Sequence, residues 1–133
     1  MTISLKTAFR GISTFSLVSA AFLAIPATSA AAASKDSATA WDSYGCCSAA
    51  WFTANGDKFS VQDAEANGYA AIGQFSIEGV YFVEVTNKKG APNTVTYSEN
   101  VKEGLKATVV ACEGKKSEGY ETEFCGDPTY GYA

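Results

Sequence analysis

The sequence contains no histidine. Histidine is the general base of the Ser-His-Asp and Cys-His catalytic sets, so a hydrolase of either kind is excluded. A zinc site is disfavoured as well, because the four cysteines would have to supply every ligand. We therefore predict no catalytic residues, no metal and no cofactor.

Positive charge is scarce, and the single arginine is Arg10. If residues 1–30 are removed, eight lysines remain against 14 carboxylates, a formal charge of −6. Nucleic acids and anionic membrane surfaces are recognised through clusters of lysine and arginine. Neither is a predicted partner of the remaining chain.

The N-terminal residues have the layout of a secretory signal peptide. Lys6 and Arg10 precede an uncharged, largely apolar run over 11–25, Pro26 ends that run, and small residues follow as "ATSAAAA". The run is short for a membrane span, which needs roughly 20 mainly apolar residues. We predict cleavage after Ala30, or at a bond up to Ala33, and a secreted, extracellular protein.

Beyond the signal peptide we predict a flexible leader over 31–43 and a single β domain over 44–133. Six runs alternate apolar and polar residues with a period of two, which is typical of half-buried strands. They cover residues 57–63, 69–77, 80–86, 94–99, 105–112 and 120–125. Turn signals such as Asn-Gly and Glu-Gly separate them. The pattern predicts an all-β fold, a small antiparallel sandwich or partly open barrel with six to seven strands, built as a meander and stapled by disulfides.

The stretch "DAEANG" over 63–68 has two interpretations. As an EF-hand loop it would place Asp63, Glu65 and Asn67 at ligand positions and Gly68 at the tight turn. The twelfth position would then be Gln74, where a glutamate is needed, and Gln74 lies within a strand pattern. Asn-Gly is also a strong signal for a hairpin turn. We favour the turn.

The even number of cysteines in a secreted chain indicates disulfides, and we predict that all four, Cys46, Cys47, Cys112 and Cys125, are bonded. Adjacent Cα atoms lie about 3.8 Å apart, closer than the roughly 4.4–6.8 Å of most disulfides. That spacing alone favours different partners for Cys46 and Cys47. Cys112 and Cys125 each end a predicted strand, however, and we favour a 112–125 bond, which leaves the adjacent pair to each other or to another chain. The alternative joins Cys46 and Cys47 to Cys112 and Cys125 in either order.

Two further groups of residues were considered as sites. Carboxylates can support glycoside hydrolysis, but the spacing singles out no pair among Asp57, Asp63, Glu84, Glu99 and Glu103. Aromatic residues cluster before the first predicted strand and at the C-terminal end, namely Trp41, Tyr44, Trp51, Phe52, Tyr130 and Tyr132. Exposed aromatics of this kind stack on sugars or anchor in a partner's cleft, whereas buried ones pack the core.

Several motifs resemble those of a group of small secreted proteins of actinomycete (Streptomyces-type) bacteria whose function is uncharacterised. The matching segments are 56–63 ("GD-x-F-x-V-x-D"), 66–71 ("A-[DN]-G-[YH]-[SA]-A") and 102–112 ("[AE]-EG-x(5)-[RV]-x-C"), followed by Cys125 and Ala133. The resemblance covers about 78 residues. It implies the Cys112–Cys125 pairing and a turn at Asn67-Gly68, and it implies no activity.

This sequence departs from that group at three places. Lys102 precedes Glu103-Gly104, no arginine precedes Cys112, and the adjacent Cys46 and Cys47 are additional. From these observations we expect a small secreted, non-enzymatic binding or interaction protein, with an extracellular protein or polysaccharide as its partner. The alternative is a proteinaceous inhibitor of a secreted hydrolase, which would present one of the loops "NKKGAPN" or "EGKKSEG".

Overall fold

The computed structural model describes residues 33–133 and forms two four-stranded antiparallel sheets. The described strands are β1 (Ala40–Trp41), β2 (Ser48–Thr53), β3 (Lys58–Asp63), β4 (Tyr69–Ile77), β5 (Tyr81–Thr86), β6 (Thr94–Ser98), β7 (Lys106–Lys115) and β8 (Thr129–Tyr132). One short 3-10 turn, Lys116–Glu118, follows β7. The predicted signal peptide over 1–30 lies outside the described residues.

The first sheet has the strand order β1-β2-β3-β6, and the second has the order β5-β4-β7-β8. Their facing sides enclose one core, in which Phe52, Phe59 and Phe75 are fully buried. The ring centroids of Phe52 and Phe59 are 5.4 Å apart, and those of Phe59 and Phe75 are 5.0 Å apart. Burial of each phenylalanine contributes about 1.5–3 kcal/mol. The predicted all-β antiparallel sandwich is confirmed, and the sheets do not close into a barrel.

The connections between strands differ from the predicted meander. β3 pairs with β2 and β6, whereas β4 pairs with β5 and β7, so the chain changes sheets between β3 and β4. It changes sheets again between β5 and β6 and between β6 and β7. Asn67-Gly68 therefore forms a turn within a sheet-to-sheet crossover rather than a hairpin. Gly68 has a φ of 85°, and Asn67 Oδ1 accepts the Tyr69 N–H at 2.9 Å.

The predicted strand over 120–125 is wrong. Tyr120 and Phe124 adopt left-handed φ angles of 62° and 50°, which interrupt an extended backbone. The segment 116–125 instead crosses the outer face of the second sheet. Glu123 and Glu113 exchange backbone hydrogen bonds at 2.7 and 2.9 Å. The Cys112–Cys125 disulfide fastens this segment to β7.

The segment expected to be a flexible leader pairs with strands of both sheets within its described part. Lys35 exchanges backbone hydrogen bonds with Tyr132, the Ser37 N–H donates to the Phe52 carbonyl, and Ala40–Trp41 forms β1. Backbone pairing thus begins before the predicted domain boundary at residue 44. No helix within residues 33–133 has the length and hydropathy needed to cross a membrane.

Candidate ligand-binding groove

The outer faces of the two sheets differ in what covers them. On the second sheet, Ile72 and Cys112 point outward yet are fully buried, because the segment 116–125 lies over them. A Cβ on Gly114 would meet the Glu121 carbonyl oxygen at 2.7 Å, which shows how closely this segment approaches. On the outer face of the first sheet, a groove lies between two tryptophans near the β1–β2 edge.

The groove has a volume of about 300 Å³ and is lined by Trp41 and Trp51. Trp41 is directly opposite Ala49 on the neighbouring strand, and Trp51 lies two positions beyond Ala49 on β2. The two indoles are therefore diagonal neighbours on one face, at a Cα separation of about 7–8 Å. Ala49 is only 1% exposed although it faces outward, so the flanking side chains cover it, while Trp41 remains 41% exposed.

Uncharged polar side chains extend from the groove across the same face. Residues opposite one another on paired strands present their side chains on one side of the sheet. Two rows begin at the tryptophans, Trp41–Ala49–Gln62–Thr94 and Trp51–Ser60–Thr96, and a third row, Thr53–Lys58–Ser98, adds one lysine to the face. The Ser60 and Thr96 hydroxyls are hydrogen-bonded at 3.0 Å. The outer face therefore carries indole rings near β1 and β2, followed by a ladder of amide and hydroxyl groups on β3 and β6, namely Ser60, Gln62, Thr94 and Thr96.

The N-terminal segment forms one wall of the groove. The Ser37 hydroxyl oxygen accepts the Phe52 N–H at 2.9 Å, and Asp36 Oδ1 accepts the Ala54 N–H at 2.8 Å. These bonds satisfy donors at the β2 edge that would otherwise face water. Asp36 is the one carboxylate that lines the groove within the described part of the chain.

A tight loop after Trp41 holds β1 in place, and Asp42 organises it. The Asp42 carboxylate is 3% exposed and accepts four backbone N–H groups at 2.5–2.9 Å, from Tyr44, Gly45, Cys47 and Ser48. Such charge-assisted bonds are about twice as strong as neutral ones. The loop therefore sets the direction in which the chain leaves Trp41 and enters β2.

The same loop contains a disulfide between the adjacent Cys46 and Cys47, whose Cα atoms are 3.7 Å apart. The spacing alone favoured different partners for these two cysteines, and that expectation is wrong. The preferred Cys112–Cys125 bond is present and leaves the adjacent pair to each other. Potential ligand atoms of Asp42, Cys46 and Cys47 lie within 4.8 Å of one another. The sulfurs are bonded to each other, however, and the carboxylate lone pairs accept the four N–H groups. This group therefore stabilises the loop rather than offering a metal site.

The three residues that would ligate calcium in "DAEANG" have separate partners. Glu65 Oε2 lies 3.1 Å from the Cys47 sulfur, and Asn67 Nδ2 donates to Glu113 Oε1 at 2.7 Å. Asp63 is 3% exposed at the end of β3. Gln74 lies within β4 and donates to Glu84. The structure thus uses this stretch as a turn.

Two carboxyl groups near this turn are desolvated. Burial raises the pKa of Glu113, the Asn67 amide opposes that shift, and the nearby carboxylates of Asp42, Asp63 and Glu65 raise it further. Burial also raises the pKa of Asp63, against a hydrogen bond from the Glu65 backbone. Both side chains are 3% exposed and neither lines the groove. Their raised pKa values therefore affect the stability of the folded protein.

We expect Glu113→Gln to raise the melting temperature near pH 7 by a few degrees. The folded state holds protons on Glu113 and Asp63 more tightly than the unfolded chain does. Their contribution to the free energy of unfolding is therefore fully present below the ordinary pKa values of 4.5 and 3.8, and it is lost as the pH rises through the raised values. Glutamine keeps an acceptor for Asn67 without the buried charge.

Thermal melts of both forms from about pH 3.5 to pH 7 measure this. The variant should match the parent at the acid end and melt higher at neutral pH. The exposed Glu121→Gln serves as the matched control and should follow the parent throughout. Equal melting temperatures of parent and Glu113→Gln near neutral pH would show that Glu113 carries no desolvation cost.

The remaining carboxylates considered for glycoside hydrolysis are dispersed. Asp57 Oδ2 accepts the Val101 N–H at 3.0 Å and thereby fixes the crossover before β7. Glu84 accepts bonds from Gln74 and Thr122 on the second sheet. Glu99 accepts a hydrogen bond from the Tyr97 hydroxyl, and Glu103 is exposed. None of these four lines the groove.

The aromatic residues singled out in the sequence fall into distinct environments. Phe52 belongs to the core, and Tyr44 packs on Phe124 with ring centroids 5.2 Å apart. Tyr130, on the second sheet, has the Lys106 ammonium 3.9 Å above its ring. Of that set, Trp41, Trp51 and Phe52 line the groove, and Phe52 is fully buried there. Sequence reasoning missed the polar ladder, whose signal is the alternation of Ser60 and Gln62 with the core residues of β3.

Comparisons with protein-family models, with curated proteins and with solved structures give no significant match. The groove and its surroundings therefore carry the functional argument.

Proposed function

We propose that this protein is a small extracellular, non-enzymatic binding protein whose ligand occupies the groove between Trp41 and Trp51. The observation that carries the proposal is the placement of both tryptophans of the chain on one open sheet face. Tryptophan is enriched at binding hot spots because its large apolar ring and its N–H both contribute there. A protein with no such ligand would have no evident use for two indoles outside the core.

Three features support a binding role over catalysis. The chain has no histidine. The two carboxyl groups with raised pKa values are buried away from the groove. The one acid in the groove wall, Asp36, has Oδ1 engaged by a backbone N–H. The signal-like N-terminus and the two disulfides support an extracellular location.

Tryptophan fluorescence tests the proposal directly, because both fluorophores line the groove. We expect extracellular medium or wall material from the producing cells to protect the tryptophans from quenching by acrylamide. Trp41→Ala leaves Trp51 as the reporter, and Trp51→Ala leaves Trp41. Each single variant should bind at least about tenfold more weakly, the loss expected of a central aromatic contact.

Tyr130→Ala is the matched control, since it removes an exposed aromatic ring from the other sheet. It should bind like the parent. If no fraction protects the tryptophans, or if Tyr130→Ala weakens binding as much as Trp51→Ala does, the groove is not the binding surface.

Inhibition of a secreted hydrolase is the second candidate function, and one observation favours it. The loop over 87–93, one of the two predicted inhibitory loops, is braced from within. The fully buried Asn87 side chain donates to the Asn93 carbonyl at 2.6 Å and to the Val61 carbonyl at 3.2 Å. Lys88 and Lys89 are exposed at its tip. A panel of secreted proteases and glycosidases separates the two functions, because an unaffected panel at micromolar protein rejects inhibition.

A further inference from the structure

We infer that the ligand of the groove is a neutral glycan chain that lies across the strands of the first sheet, from the indoles of Trp41 and Trp51 onto the hydroxyl ladder. This inference rests on the proposed function and specifies its ligand class. Each step below uses a different property of the face.

The indoles supply flat, apolar surfaces. Ala49, the residue between them, is covered by its neighbours, so a planar ring rests on the exposed parts of the Trp41 and Trp51 side chains and leaves the core undisturbed. The negative face of an aromatic ring attracts the positively polarised C–H groups of a partner. Pyranose rings present such a C–H face, and their hydroxyl groups then point to the sides.

The groups around the indoles match those hydroxyls. Gln62, Thr39 and Thr53 line the groove and offer short, uncharged donors and acceptors. Ser60 and Thr96 continue this pattern toward β6, and Thr96 is exposed. A hydroxyl or amide group acts as a donor, an acceptor or both. A sugar, whose hydroxyls also do both, meets partners at Gln62, Thr53 and Thr96, whereas an apolar peptide side chain would leave these groups unpaired. Ser60 is 5% exposed and supports Thr96 through their hydrogen bond.

The charges around the groove favour a neutral ligand. No lysine lines the groove itself, and its Asp36 carboxylate repels anions, so a phosphate or sulfate polymer finds one counter-charge, Lys58, among the paired outward positions of this face. The acidic chain as a whole repels polyanions. A quaternary ammonium group is best enclosed by a cage of aromatic rings, and this groove provides two indoles on an open face.

The length of the face favours a chain over a single sugar. Four strands at a spacing of about 4.8 Å extend over roughly 14 Å across the sheet. The two rows of outward side chains run in that direction, from Trp41 and Trp51 at one end to Thr94 and Thr96 at the other. A glycan of about three sugar rings is needed to span this distance.

Titration with soluble oligosaccharides tests the inference. The probes are hexasaccharides of β-linked glucose, N-acetylglucosamine, xylose and mannose, with polygalacturonate as an anionic polymer and tetramethylammonium as a cation. We expect at least one neutral hexasaccharide to shift the tryptophan emission with a Kd on the order of 10 µM to 1 mM. Binding should be insensitive to salt, because no ion pair forms. The disaccharide of the same sugar should bind more weakly.

Variants locate the bound chain. Trp51→Ala should weaken binding at least about tenfold, and Thr96→Ala, at the far end of the ladder, roughly threefold to tenfold. Thr108→Ala, on the second sheet, is the matched control and should not change the Kd. Equal affinities for disaccharide and hexasaccharide, or an unchanged Kd in Thr96→Ala, would overturn the path across the strands.

The outcome also separates this inference from the proposed function. If culture fractions protect the tryptophans but only polygalacturonate, tetramethylammonium or a protein does so in purified form, the groove binds a ligand and the glycan assignment fails. If neither the fractions nor the probes protect them, both fail.

Discussion

Gly126→Ala should destabilise the protein by about 3–5 kcal/mol and lower its melting temperature by roughly 15–30 °C. A Cβ at this position would lie 1.8 Å from the Trp41 carbonyl oxygen and 3.0 Å from the Asp42 carbonyl carbon. Both are backbone atoms of β1 and the loop that follows it, so no side-chain rotation relieves the overlap. Either β1 or the segment after Cys125 must move away.

The substitution should also disturb the groove, because the displaced strand carries Trp41. In protein kept well below its melting temperature, we expect a change in tryptophan emission and weaker ligand binding. Circular dichroism melts measure the loss of stability. Gly79→Ala is the control: its Cβ would meet no atom within 4 Å, but its φ of 70° costs an alanine about 1–2 kcal/mol. A smaller loss of stability in Gly126→Ala than in Gly79→Ala would contradict the close approach of Gly126 to the Trp41 backbone.

The two disulfides should differ widely in their effect on stability. Cys112–Cys125 joins residues 13 apart in sequence, and in the loop-entropy model a bond of this span stabilises a protein by about 3 kcal/mol. Cys46–Cys47 joins neighbouring residues and closes no loop, so it restricts the unfolded chain very little. We expect Cys112→Ser with Cys125→Ser to lower the melting temperature by roughly 12–20 °C.

The matched double variant, Cys46→Ser with Cys47→Ser, should lower the melting temperature by less than about a third of this amount, because the Asp42 carboxylate still holds the loop. Each double variant retains the other bond, which thiol titration verifies. Loss of the 112–125 bond should also release the segment 116–125 from the second sheet, measured as faster hydrogen exchange there. Equal losses of melting temperature in the two double variants would show that loop closure does not determine how much each disulfide stabilises the protein.

The strands that sequence reasoning located have strong two-residue periodicity. β3 and β6 alternate apolar and polar side chains throughout, and β4, β5 and β7 do so over part of their length, as in residues 74–77 and 83–86. β2 escaped because its sequence, SAAWFT, places apolar residues on both faces: Phe52 enters the core and Trp51 the groove. The false strand over 120–125 alternates equally well, but the left-handed φ angles at Tyr120 and Phe124 follow from packing over the second sheet.

Topology depends on contacts that are distant in sequence. Asn67-Gly68 suits a hairpin and a crossover equally, because the left-handed turn is the same in both. β3 pairs with β6 rather than with β4 because the apolar faces of the two sheets pack against each other in one core.

The groove was only partly predictable for the same reason. Trp41 and Trp51 are separated by a loop, and their proximity follows from the pairing of Trp41 with Ala49. The sequence identified the aromatic residues, whereas their convergence needed the strand register.

The open face of the first sheet has a practical use. Its outward positions, such as Thr53, Lys58, Thr94 and Ser98, take no part in the core, and substitutions at such sites usually change stability by less than about 0.5 kcal/mol. The face can therefore be randomised on a rigid, disulfide-braced scaffold, and libraries selected from it would yield small reagents with chosen specificities.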